Sequence, residues 1–206
     1  MNGIEISNKS NLDGWEVIFE CWENEIQRSV HLTSGNDAPF VHAEHGNTHI
    51  FGVSASIAGF ATIREVIGKR NGNPARLDLC MVSEKYLDIV EAKWLEFNLS
   101  DFFPKERIFD QVKGACNDAK IYTNTEKLFH NEENKKIIRR TGITFITPHF
   151  QKDKSFSREL IASTLNNIRQ NIKPDILAWS FPVATREMHY WQRVYPGVIA
   201  VVTSVK

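Results

Sequence analysis

Two apolar runs separated by three polar residues constrain this chain more than any other feature. Ala75-Arg-Leu-Asp-Leu-Cys-Met-Val82 ends, Ser83-Glu-Lys85 intervenes, and Tyr86-Leu-Asp-Ile-Val-Glu-Ala-Lys-Trp94 begins. So short a break sets the two runs side by side as neighbouring strands. Upstream, residues 60–69 are rich in β-branched side chains, and the Asn71-Gly72 that follows is a hairpin dipeptide. The three runs read as a meander, with a helix over 60–70 as the rival for the first. Its second and third members carry Asp78, Glu91 and Lys93. Charges inside buried strands are costly unless they are paired or bind a metal.

The rest of the chain reads as elements around this meander. Residues 13–32 predict a helix with Trp15, Ile18, Phe19, Trp22, Ile26 and Val30 on one stripe, Asp13 as its cap and Glu16 in capping-box position. Residues 33–58 show no clear period, and 55–60 fit helix or strand. Helices are expected over 105–121, after Pro104, over the charged residues 126–140, and over 155–170. Strands are expected over 141–148, 176–181 and 198–205. No repeat or linker divides the 206 residues, which suit one domain.

Side chains alternate along a strand, so Glu91 and Lys93 share a face, and Asp78 can point to the same side. Two converging carboxylates suit one or two divalent cations. Magnesium takes oxygen ligands and keeps several waters, so few protein ligands suffice. Such a cation polarises a phosphate and acidifies a bound water, and Lys93 is placed to orient that water or to stabilise transition-state charge.

These residues carry a resemblance. Arg76-Leu-Asp-Leu79 on one strand, a short turn, then Val90-Glu-Ala-Lys93 on the next is similar to the PD-(D/E)XK, or restriction-endonuclease-like, nuclease superfamily. The resemblance covers roughly residues 13–148, with residues 149–206 as a C-terminal extension. It implies a three-layer α/β/α fold with a mixed central β-sheet. It also implies a Mg2+- or Mn2+-dependent nuclease, an endonuclease, acting on DNA rather than RNA. Asp78 and Glu91 would be the metal ligands and Lys93 the third catalytic group. The proline expected beside the first acid is Leu77 here, with Pro74 four positions before Asp78. A further carboxylate on the first helix is assigned to Glu20, with Glu16 and Glu23 as its neighbours. Gln111 matches a glutamine found on the following helix in some members, but the tyrosine four residues later is Ala115.

Other features point elsewhere. His42, His45 and His49, with Glu44 among them, are a zinc alternative without cysteine support. Lys135, Lys136, Arg139 and Arg140 suit a phosphate backbone or a solvated helix face. Tyr190, Trp191 and Tyr195, near Arg186 and Arg193, suit base stacking, a core or a dimer interface. Pro174-Asp175 mimics the literal motif but lacks a following Glu-x-Lys, so Asp175 reads as a turn residue. Formal net charge is zero, which argues against a wholly basic nucleic-acid binder and leaves a local basic groove open. Three scattered cysteines, no exported-type leader and no membrane-spanning run suggest a soluble cytoplasmic protein. No phosphate-binding loop, dinucleotide fingerprint or nucleophile elbow is present. The alternative function is a catalytically inactive nuclease fold kept as a nucleic-acid-binding or protein-interaction module. A homodimer built through residues 149–206 also stays open.

Overall fold

Asn71 and Gly72 both adopt left-handed backbone, with φ of 51° and 82°, and the hairpin closes across them. In chain order the elements are β1 (Asn2–Ile6), α1 (Trp15–Leu32), α2 (Ala43–Ile57), β2 (Ala61–Arg70), β3 (Asn73–Val82), β4 (Tyr86–Asn98), α3 (Lys105–Ile121), β5 (Tyr122–Thr123), β6 (Ile137–Gln151), α4 (Arg158–Asn171), β7 (Ile176–Ser180), β8 (His189–Tyr190), β9 (Arg193–Val194) and β10 (Val198–Ser204). This computed structural model describes residues 1–8, 11–123, 136–154, 156–190 and 192–205.

The architecture is mixed α/β around one open sheet, ordered β1-β7-β10-β6-β4-β3-β2-β5. The β2-β3-β4 meander forms as read. The next strand in space, β6, runs parallel to β4 from Tyr86↔Ile137 to Asn98↔His149. Parallel neighbours need a crossover, and α3 lies in that connection. The C-terminal strands widen the sheet: β10 pairs antiparallel with β6, β7 with β10, and β1 with β7.

Helices cover both faces. On one, Trp15, Phe19 and Trp22 of α1 and Phe51 of α2 pack over Leu79, Val90, Ala92 and Phe145. On the other, Ile108 and Val112 of α3 and Ile161 and Leu165 of α4 pack over Leu95, Ile146 and Val201. Among the described residues no helix is long and apolar enough to cross a membrane.

Three expectations change. Gly14, left-handed at φ 86°, occupies the N-cap of α1, and no side chain caps that end. Asp13 lies outside the helix and accepts a hydrogen bond from the Tyr86 hydroxyl at 3.1 Å, so the capping box does not form. Residues 43–57, which showed no period, are helix α2. Its buried face includes Asn47, Thr48, Gly52 and Ser54, which erase an apolar stripe. The three polar side chains donate within the helix, to the carbonyls of Ala43, Glu44 and Ile50. Residues 137–140 of the expected helix are the start of β6. There Arg139 is buried because Asp88 neutralises it, with bonds of 2.6 and 2.7 Å. Residues 126–135 of that expectation lie outside the described residues.

Candidate active site

The ladder between β3 and β4 extends only from Leu79↔Val90 to Val82↔Leu87. Beyond Leu79 the strands part, β3 staying with β2 and β4 with β6. Asp78 is the first residue of the fork. Its Oδ2 accepts a hydrogen bond at 2.7 Å from the backbone N–H of Ala92, a donor for which β3 offers no ladder carbonyl there. On the other side of β3, register pairs Arg64 with Leu79 and Val66 with Leu77 but skips Glu65 and Asp78. Glu65 has φ 55°, a left-handed conformation that is strained for a strand residue with a side chain. The backbone is therefore irregular on both sides of the first acid.

Glu91 is buried, with 1% of its side chain exposed. Burial pushes its carboxyl up, the neighbouring Asp78 carboxylate adds to that, and Arg70 works against them, for a balance of about 8. Among the charged groups around Glu91, Asp78 has the strongest coulombic effect on it. Arg70, at the last position of β2, donates from Nη2 to Glu91 Oε1 at 2.7 Å and reaches Asp118 of α3 at 3.5 Å. Lys93 Nζ meets the same Asp118 at 3.0 Å. Burial pulls the Lys93 ammonium down, but Asp118, Glu44 and Glu91 outweigh it and hold it above the ordinary lysine range. Glu44, in the first turn of α2, is pushed up by burial and by Asp78, and drawn down by Lys93 and His45.

Thus Asp78, Glu91 and Lys93 come together. Arg76 pairs with Glu65 at 3.6 Å on the surface and not with Asp78, while Glu91 and Lys93 each pair with a residue of another element. Glu16, Glu20 and Glu23 are not brought to them. Glu16 and Glu20 are exposed on α1, and Glu23 accepts from Asn2 of β1 at 2.7 Å. The helix immediately before the meander is α2, so the helical carboxylate near the cluster is Glu44. Sequence reasoning set it aside because α2 was not recognised. Arg70 and Asp118 were also missed. Arg70 looked like part of a turn, while Asp118 shares a stripe of α3 with Gln111 and Gly114, at i, i+3 and i+7. Gln111 is half-buried on that stripe, and a Cβ on Gly114 would come within 4.0 Å of Lys93 Cε.

The remaining candidates find other partners. His42 bonds Asp37 at 2.9 Å and His49 bonds Arg64 at 2.9 Å. Among the described residues no group of three or more His, Cys, Asp or Glu is arranged to hold a metal ion. Lys136 donates to the carbonyls of Ser83 and Glu84, tying β6 to the β3–β4 turn. Asp175 accepts from Ser204 and Asn8, as befits a turn residue. Tyr195 is buried and donates to Glu96, which Arg193 also holds at 2.6 Å. Tyr190 is exposed, Arg186 lies over the Phe156 ring at 4.7 Å, and Lys135 and Trp191 lie outside the described residues.

The donor set fits a magnesium-type cation rather than zinc. Asp78 and Glu91 are adjacent carboxyls that a second positive charge would relieve. Two oxygen ligands plus water is how magnesium is commonly held, whereas zinc would need three or four protein ligands. Comparison with known proteins finds no matching family model, no matching curated protein and no matching solved structure.

Proposed function

We propose that this chain is a restriction-endonuclease-like, metal-dependent nuclease that hydrolyses phosphodiester bonds, with DNA as its substrate. The observation that carries the reading is the pairing of Asp78 with buried Glu91 at the fork of β3 and β4, with Lys93 one alternation further on. The element order supports it too: helix α2, strands β2, β3 and β4, helix α3 and, past the two-residue β5, strand β6 follow the helix, three strands, helix, strand order of that superfamily.

Asp78 and Glu91 would hold Mg2+ or Mn2+, with Glu44 as the nearest further carboxylate. A bound cation would supply a Lewis acid for the scissile phosphate and a water of lowered pKa. Lys93 presents ammonium N–H groups to the attacking water or to a non-bridging phosphate oxygen, where charge develops. Asp118 holds that ammonium in place, so Lys93 is pre-positioned. Arg70, now bonded to Glu91, adds a second positive group beside the phosphate.

The test is degradation of plasmid and linear DNA, with RNA alongside, in Mg2+ and Mn2+. Asp78→Asn and Lys93→Ala should each lose at least about 100-fold in rate, the usual scale for a positioned acid-base or charge-stabilising group. A wild type inert on all substrates and ions, or variants as active as wild type, would remove the reading.

A further inference from the structure

A groove of about 940 Å³ lies between the C-terminal half of α1, the exposed side of α2 and the β2–β3 hairpin. Arg28 enters it from α1, Arg64 and Arg76 from the hairpin, His42 from the N-cap of α2, and His45 and His49 from α2 itself. From N-cap His42 to His49 the chain spans about 10 Å at the helical rise. Arg28 holds Glu25 through three contacts of 2.9 to 3.2 Å and Arg76 meets Glu65 at 3.6 Å; both carboxylates also line the groove, but both arginines are largely exposed, where a phosphate can compete for them. Arg64 keeps a buried Nε–H with no acceptor. No Phe, Tyr or Trp lines the groove, so it has no platform for stacking bases.

The groove adjoins the first acid along β3. Arg76 lies two residues before Asp78 on β3. Glu44 interacts electrostatically with Asp78 and Lys93 of the cluster and with His45 and Glu65 of the groove.

We infer that this groove binds the sugar-phosphate backbone of the substrate beside the scissile phosphate, with Arg28, Arg64 and Arg76 as the phosphate contacts and the α2 histidines as additional N–H donors. The inference rests on the nuclease reading for its substrate. Contacts to backbone and not to base edges make the binding independent of sequence.

The experiment measures binding of a labelled DNA duplex by fluorescence anisotropy, in EDTA, across a salt series. Each phosphate contact contributes close to one to the slope of log K against log salt. The triple variant Arg28→Ala, Arg64→Gln, Arg76→Ala should flatten that slope by about three and weaken binding at least tenfold at moderate salt. Should Arg64→Gln disturb folding, the double variant of the two exposed arginines should flatten it by about two. Arg158→Ala, from α4 on the opposite face of the sheet, should match wild type. A triple variant with wild-type slope and affinity overturns the groove, whether or not wild type cleaves. So does a wild type that binds no DNA at low salt. Groove-dependent binding by a wild type that cleaves nothing keeps the groove and removes the nuclease reading.

Discussion

Glu91 is the residue on which the chemistry turns, because its environment works against its charge. Burial and Asp78 hold it at about 8, so the metal-free protein keeps it protonated at neutral pH. A group whose folded pKa is raised contributes stability that is fully present below its unfolded value. That contribution is lost as pH rises through the folded value. Here the window runs from the ordinary glutamate value near 4.5 up to about 8. The full span corresponds to an upper bound on the order of 5 kcal/mol. Glu91→Gln removes the titration, so in EDTA it should be more stable than wild type at pH 8.5, and the gain should shrink towards pH 5. Urea unfolding at several pH values checks this, and a variant equally destabilised at both ends would contradict it. The same residue would be indispensable for holding a cation, so the stabilised variant should also be the inactive one.

At the scale of elements, the site depends on how closely α3 approaches the sheet. Gly142 of β6 lies beside Glu91 in register, and a Cβ there would come within 2.7 Å of the Cys116 backbone nitrogen. Only a glycine lets α3 settle low enough for Asp118, two residues beyond Cys116, to meet Lys93 and Arg70. Gly142→Ala should therefore cost about 1–3 kcal/mol, the usual cost of overpacking. It should also lower the cleavage rate, through displacement of Asp118, in protein that still folds. A thermal melt and a rate measurement on the folded fraction separate the two effects. α1 and β4 are joined differently: buried Asp88 accepts from Trp15 Nε1 at 3.2 Å and from Arg139 of β6. Burial raises that carboxyl, and Arg139 and Trp15 offset part of the rise. This pair lies on the face covered by α1 and α2, away from Glu91 and Lys93, and reads as structural.

For the whole molecule, a cation at the fork would join the β2–β3 hairpin to the β4–β6 half of the sheet, which there share no ladder bonds. A ligand that binds only the folded state stabilises it by mass action. Mg2+ at a hundredfold excess over its Kd should add about 2.7 kcal/mol, read as a rise in Tm. The rise should be larger at pH 8.5 than at pH 6.5, because at the lower pH the cation must displace the Glu91 proton. It should vanish in Asp78→Asn. An equal rise in that variant would place the cation elsewhere.

Local sequence pointed to the meander, with a helix over 60–70 as its rival, because Asn71-Gly72 and the three-residue break favour adjacent antiparallel strands, and alternation sets Glu91 and Lys93 on one face. The mixed α/β class was legible for the same reason: apolar periods of two and of helical spacing are local properties. What surrounds the pair was decided only by tertiary structure. Glu44 lies on a helix whose buried face is partly polar, so it carried no period. Arg70 lies 21 positions from Glu91 and Asp118 25 from Lys93, and each meets its partner only because β2, β4 and α3 fold together. Arg139 read as part of a phosphate-binding or solvated helix face, and it is buried because Asp88 neutralises it. A pattern of residue types can say that charges in a strand need partners. Which partners they find depends on contacts between distant segments, and on burial that exists only once the sheet is covered on both faces.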